Sequence, residues 1–316
     1  NKKLRNKRRQ ERFALSRFAL PVTVIYGALA TLAAGVIEQE LWLQTAALFA
    51  ATMMMVFLNN RYSLIRVYSR MVSCSYLVLM TMACFLFPSI HGAIIELAFI
   101  AACMFLFNAY QNPRGSGAVF YAFAMIGISS IFFVQILYYV PLLWFVLSTN
   151  ILALSTRTIA ASIIGLIIPY WFVAGYYASL GNLQPFIDHF CDLAKFGKLF
   201  DYSMINSHQT VTFIFIALLG ITGIIHFLRN SYNDKIKTRM LYESFIAFEI
   251  ATIVFIILQP QHFDFLLRIL IISTAALIGH FITLTHTWIT NIAFHLIIVI
   301  TLLITAYNLW MPSLTF

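Results

Sequence analysis

The hydrophobic positions of the chain form long continuous runs, and short polar segments separate these runs. A run of about 20 apolar residues, or about 17 at the short end, is long enough to cross a bilayer as a helix. Runs of this kind predict eleven transmembrane helices, at residues 18–37, 43–58, 71–87, 92–108, 118–135, 139–156, 158–177, 209–228, 243–258, 265–284 and 289–310. The predicted fold class is therefore all-α, a polytopic bundle of transmembrane helices.

Positively charged side chains indicate how this bundle is oriented. Residues 59–70, between the second and third spans, contain Arg61, Arg66 and Arg70 and no acidic residue. Lys and Arg close to span ends are held on the cytoplasmic side. Counted from this turn, the predicted cytoplasmic segments hold 17 of the 20 basic residues. The sequence thus predicts a multi-pass protein of a bacterial inner membrane, with a cytoplasmic N-terminus and a periplasmic C-terminus.

Residues 1–17 form a predicted basic cytoplasmic arm, and residues 18–316 a single transmembrane domain. The arm carries eight basic residues, namely Lys2, Lys3, Arg5, Lys7, Arg8, Arg9, Arg12 and Arg17. No small-residue cleavage site follows closely, so we do not interpret the arm as a cleaved secretory signal. Because the chain does not begin with Met, we expect further residues before Asn1.

Composition narrows the function classes. The chain is 61% hydrophobic and 10% charged, with a mean hydropathy of +0.88, whereas soluble domains are about a quarter charged. This leaves no room for a soluble catalytic domain. The formal charge of +9 lies near span ends, which favours the bilayer and anionic lipid headgroups as partners over nucleic acid. The predicted headgroup-binding residues are Arg61, Arg66, Arg70, Arg114 and Arg157.

The largest predicted outer loop covers residues 178–208. Apolar residues recur there at helical spacing, at Phe186, Ile187, Phe190, Leu193, Ala194, Gly197 and Phe200. Asp188, Asp192 and Lys195 share the opposite face. This pattern predicts an interfacial amphipathic helix on the outer leaflet. Such a helix either seals the bundle or forms the lip of a substrate entrance.

Ionisable residues inside spans are costly and usually functional or buried. Near the outer face, Asp264 and Arg268 are four residues apart, a spacing that predicts an ion pair on one helix. Near the inner face, a polar cluster is predicted from His226, Glu249, His280 and His295. We expect Glu249 to face the interior and to hydrogen-bond at least one of the last two histidines.

Three roles for the inner cluster stay open: packing, proton or substrate handling, and a metal or haem site. The chain has no His-x-x-Glu or His-Glu-x-x-His spacing, so we expect no metal. The sequence specifies no cofactor either.

Pro169 lies in the middle of the seventh span, and its ring displaces the carbonyl of Gly165. The resulting kink either packs passively or lines a cavity.

Three stretches resemble a family of uncharacterised polytopic inner-membrane proteins of the Bacteroidota. They are NNRYSLIR at 59–66, GISSIFF at 127–133 and GLIIPY at 165–170. The resemblance covers the first 180 residues or so and implies no activity. Glu38-Gln39-Glu40 in the first outer loop is also similar to the acidic motif of multi-span glycosyltransferases that use polyprenyl-phosphate sugars. In that fold the loop is longer than the one found here.

Three function classes remain. The absence of a strong catalytic motif favours a non-catalytic membrane subunit of a cell-envelope complex, with other membrane proteins as partners. The first alternative is an enzyme that acts on a polyprenyl-phosphate-linked sugar at the periplasmic face. Its candidate catalytic residues are Glu38, Glu40, Asp188 and Asp192. The second alternative is a transporter or flippase that uses the Pro169 kink and the inner cluster. Whether the protein is an enzyme is left open.

Overall fold

The computed structural model describes residues 8–314, with side chains as far as residue 310. This part of the chain is all-helical and contains no strand. Its α-helices are α1 (Arg9–Ala14), α2 (Ala19–Ala33), α3 (Trp42–Tyr62), α4 (Met71–Met82), α5 (Ile90–Asn108), α6 (Ser116–Phe132), α7 (Val140–Thr149), α8 (Thr156–Ser179), α9 (Gln184–Cys191), α10 (Ser207–Asn230), α11 (Ile236–Leu258), α12 (Phe263–Leu284) and α13 (Trp288–Leu314).

Seven helices are long and apolar enough to cross a membrane: α3, α5, α8, α10, α11, α12 and α13. Shorter apolar helices stand at the other four predicted spans. Some predicted boundaries are wrong. The sixth span was expected to end at residue 156, but α7 ends at Thr149. The third was expected to reach residue 87, but α4 ends at Met82 and a short 3₁₀ turn follows.

Helix α12 is the centre of the bundle, since nearly all of its side chains are buried. It packs mainly against α4, α10 and α11. Glycines permit this close approach: a Cβ added at Gly223 would lie 2.7 Å from Leu277 Cβ, and one at Gly279 would lie 3.0 Å from Val72 Cα. Small residues at helix interfaces are the usual means of close packing in membranes.

Helices α6 and α8 form a second closely packed unit. A Cβ at Gly165 would lie 2.5 Å from the carbonyl oxygen of Phe120, and one at Gly127 would lie 2.9 Å from that of Leu166. Pro169 is buried within α8, which stays helical on both sides of it. Its ring lies against Gly127. These contacts favour packing over cavity lining as the role of Gly165 and Pro169.

Side-chain contacts join the connecting segments into two groups at opposite ends of α12. At one end, Ser69 Oγ donates to Ala14 O at 2.7 Å, and Gln10 Nε2 donates to Ile282 O at 2.7 Å. We call this the Arg66 end, because Arg66 lies in the same turn, residues 59–70, as Ser69. At the other, Gln135 Nε2 donates to Asp192 O at 3.3 Å, and Gly197 N donates to Gln259 Oε1 at 3.2 Å.

The loop at 178–208 contains a shorter helix than predicted. Helix α9 continues only through a 3₁₀ turn at Asp192–Ala194, and Lys195 is extended. The prediction of helix as far as Phe200 is therefore wrong. Phe186 and Phe190 pack on Tyr170 of α8, so part of the apolar face of α9 contacts protein.

Candidate functional site: three acidic residues along the central helix

Three buried acidic side chains contact α12 at successive levels: Glu96 of α5, Glu249 of α11, and Asp234, which precedes α11. Their partners on α12 include Arg268, Thr274 and His280, which are six residues apart. At a rise of about 1.5 Å per residue, neighbouring levels are about 9 Å apart.

At the first level, Arg268 Nη1 donates to Glu96 Oε2 at 2.7 Å, and Nη2 donates to the carbonyl oxygen of Leu86. Both charged residues are 3% exposed. Gly92 makes room for the guanidinium, because a Cβ there would lie 2.4 Å from Arg268 Nε. The neighbouring cavity measures about 10 Å³, which is at or below the space that one water molecule needs.

The predicted pair of Asp264 with Arg268 is wrong. Asp264 is exposed in the first turn of α12, and no ion pair within 4.0 Å joins it to Arg268 in the described structure. Arg268 turns inward to Glu96 instead. The carboxylate of Asp264 faces the positive end of the helix dipole, which is favourable in the first turn of a helix.

At the second level, Glu249 is fully buried. Ser273 Oγ donates to Glu249 Oε2 at 2.5 Å, and Thr274 Oγ1 donates to Oε1 at 2.8 Å. Gly220 of α10 closes the site, since a Cβ there would lie 1.8 Å from Oε1. Among the residues described, no basic side chain forms an ion pair with this carboxylate.

Glu249 therefore faces the interior as expected, but the predicted hydrogen bond to a histidine is wrong. His280 lies at the next level, and His295 on α13 is half-buried, with Nδ1 2.6 Å from the carbonyl oxygen of Asn291 in its own helix. Of the predicted cluster, only His226 and His280 are neighbours, with ring centroids 5.4 Å apart.

At the third level, His280 Nε2 lies 3.0 Å from Asp234 Oδ2, and Arg66 Nη1 lies 3.5 Å from Asp234 Oδ1. Tyr242 packs on the imidazole, with ring centroids 4.8 Å apart. The sequence-based reasoning missed Asp234. Its signal is that it is the sole acid in the basic segment 229–239 between two apolar runs.

The four candidate catalytic acids do not assemble. Glu38 and Glu40 are exposed in the turn after α2, and Asp188 is exposed on α9, where it accepts a hydrogen bond from Gln184. Asp192 accepts from Lys195 at 2.7 Å, which raises the pKa of Lys195. In the described part of the chain, no polar contact joins the first pair of acids to the second.

The predicted headgroup-binding arginines have different surroundings. Arg66 and Arg61 are both exposed, but Arg66 also lies 3.5 Å from Asp234. Arg70 Nε donates to Tyr68 Oη at 3.2 Å. Arg114 and Arg157 lie together at the edge of one surface depression.

Comparisons with known proteins find no family model, no curated protein and no solved structure that matches this chain.

Proposed function

We propose that the protein is a multi-pass membrane transporter whose cycle includes the binding of a proton or a small monovalent cation at Glu249. The observation that carries this proposal is a fully buried carboxylate that faces two hydroxyl groups and no basic side chain. A charge buried in this way is costly without a counter-charge. A bound proton or monovalent cation supplies that charge, and two hydroxyl oxygens beside a carboxylate suit either one.

The arrangement along α12 supports this proposal. Glu249 lies between two levels that already contain a base, Arg268 at one and His280 at the other. The middle level alone pairs an acid with neutral partners. Of these three levels, the middle one is where the acid has no basic partner that could exclude a proton or a cation.

The other two function classes make different use of these residues. A lipid-linked-sugar enzyme at the outer face needs acidic groups that converge, and Glu38 and Glu40 lie apart from Asp188 and Asp192 in their contacts. A non-catalytic subunit of an envelope complex requires no ion at Glu249. In that case the Glu249 contacts are packing, and a stoichiometric protein partner should co-purify.

We further propose that the eleven apolar segments all cross a bacterial inner membrane, with the Arg66 end in the cytoplasm. The clustering of the basic turn at 59–70, the start of α11 and the arm at one end supports this orientation. A topology reporter fused after Phe316 should then report a periplasmic location. A cytoplasmic signal would refute the eleven-span count.

The test of ion binding is a rapid jump of pH, and separately of Na⁺ or K⁺ concentration, on proteoliposomes, measured as a capacitive current on a supported membrane. We expect a current from the native protein and its loss in Glu249→Gln. Glu243→Gln is the matched control, because Glu243 is a half-buried acid of the same helix that accepts a hydrogen bond from Asn150 at 3.0 Å. It should keep the current.

Size-exclusion chromatography should show that both variants fold, because an amide at position 249 still accepts a hydrogen bond from a hydroxyl. A native protein that gives no more current than empty liposomes, or an undiminished current in Glu249→Gln, would refute the proposal and favour the subunit.

A further inference from the structure

A polar cavity of about 300 Å³ opens at the Arg66 end, between the turn at 59–70 and the start of α11. Its wall includes Asn59, Asn60, Arg66, Asp234, Lys235 and Thr238. We call it the Arg66 cavity. Of the three arginines in this turn, only Arg66 lines it, which distinguishes the cavity from a generally basic surface.

The wall carries an excess of positive charge. The wall contains two basic side chains, those of Arg66 and Lys235, and one carboxylate, that of Asp234. Helix α11 adds to this, because its first turn borders the cavity at Thr238 and no side chain caps its N-terminus. The N–H groups and dipole at such an end favour an anion. Together these groups suit a phosphate.

Arg66 is positioned by its neighbours. Its Nη1 lies 3.5 Å from Asp234 Oδ1, and Asp234 is held in turn by His280 Nε2 at 3.0 Å. The Arg66 side chain is 40% exposed and that of Asp234 is 1% exposed. The guanidinium therefore lies at the cavity wall, with part of its surface free to meet a ligand.

The surroundings of Asn59 indicate that the ligand also carries a hydrogen-bond donor. Asn59 is 7% exposed, and its Nδ2 donates to Ser69 O at 2.9 Å. Its Oδ1 is buried and has no hydrogen-bond partner among the described residues. A buried acceptor without a donor is costly. A hydroxyl group of a ligand satisfies it without adding charge to a wall that is already positive.

We propose that the Arg66 cavity binds a phosphate ester that carries hydroxyl groups. The phosphate faces Arg66, Lys235 and the start of α11, and a hydroxyl donates to Asn59 Oδ1. The phosphoglycerol headgroup of a membrane lipid and a soluble polyol phosphate share this chemistry. This site is independent of ion binding at Glu249.

The first test is native mass spectrometry of the full chain in detergent, titrated with phosphatidylglycerol. Loss of one charge-assisted hydrogen bond corresponds to about ten- to a hundredfold weaker binding. We expect a loss of that size in Arg66→Gln and in Lys235→Gln. Arg229→Gln and Lys237→Gln are the matched controls, because each removes one positive charge from an exposed position at the same end of the bundle, outside the cavity. They should change binding less than about threefold, as expected for screened surface charges.

The second test examines whether a hydroxyl group of the ligand contributes to binding. Phosphatidylmethanol has the same phosphodiester charge and no headgroup hydroxyl, so we expect it to bind the native protein more weakly than phosphatidylglycerol does. This comparison needs no variant. Glycerol 3-phosphate that displaces the lipid identifies a soluble ligand, whereas no displacement identifies the lipid headgroup. Equal losses in Arg66→Gln and Arg229→Gln, or equal binding of the two lipids, would overturn the proposal.

Discussion

The two ends of α12 use the same kind of contact in different surroundings. At one end, Arg268 binds Glu96 beside a cavity of about 10 Å³. At the other, His280 binds Asp234 beside the Arg66 cavity of about 300 Å³. In both cases a neighbouring segment supplies the acid and α12 supplies the base.

The difference between these ends lies in what each pair can reach. Arg268 and Glu96 are both 3% exposed, and the cavity beside them is at or below the size of one water molecule, so a ligand has no room to reach them. Asp234 reaches a cavity and touches a second base, Arg66. We therefore expect changes at the sealed end to act on stability, and changes at the open end to act on binding as well.

The largest effect should follow from breaking the sealed pair. Glu96→Leu leaves Arg268 buried without its carboxylate, which should lower the free energy of unfolding by about 3–5 kcal/mol. Denaturant titration of the detergent-solubilised protein measures this loss. The double variant Glu96→Leu with Arg268→Met replaces both charges with apolar groups and should recover most of it. A single variant as stable as the native protein would show that the pair does not hold α5 against α12.

The positions of the helices could be predicted from the sequence better than the side-chain contacts between them. Each of the eleven predicted spans overlaps a helix of the structure, because the length of an apolar run is a local property. The partner of Arg268 is not local. Asp264 was expected to pair with Arg268 because the two are four residues apart in one helix. The observed partner, Glu96, is 172 residues away in the chain. Which helices become neighbours depends on how they pack in three dimensions, and the length of an apolar run does not determine this.

A signal for the centre of the bundle was nevertheless present. Residues 273–276 read Ser-Thr-Ala-Ala, and Gly279 follows, so α12 carries the small residues that membrane interfaces favour. That pattern predicts many close neighbours for α12 and buried partners for its polar groups. It does not identify Glu249 as the partner of Ser273, since the register of α11 against α12 is set by contacts elsewhere.

A smaller effect should follow at the open end. His280→Leu removes the buried donor nearest to Asp234 and leaves Arg66 as its remaining partner, so the free energy of unfolding should fall by about 1–3 kcal/mol. His295→Leu is the matched control, because that imidazole is half-buried and bonds within its own helix. The same denaturant titration compares them. Equal losses would mean that the contact with Asp234 contributes nothing beyond the loss of a ring.

The smallest effect should come from an acid–base pair outside the bundle. Lys195 Nζ lies 2.7 Å from Asp192 Oδ1, with side chains 72% and 49% exposed. The hydrogen bond raises the pKa of Lys195, so any stabilisation is complete below the ordinary pKa of lysine and is lost as the pH rises through the raised value. At neutral pH Lys195 is therefore charged, and solvent screens its interaction with Asp192. We expect Lys195→Gln to leave Tm unchanged within error at neutral pH, although this pair is as short as that of Arg268 with Glu96. A Tm loss as large as that of His280→Leu would show that burial does not determine how much each pair stabilises the protein.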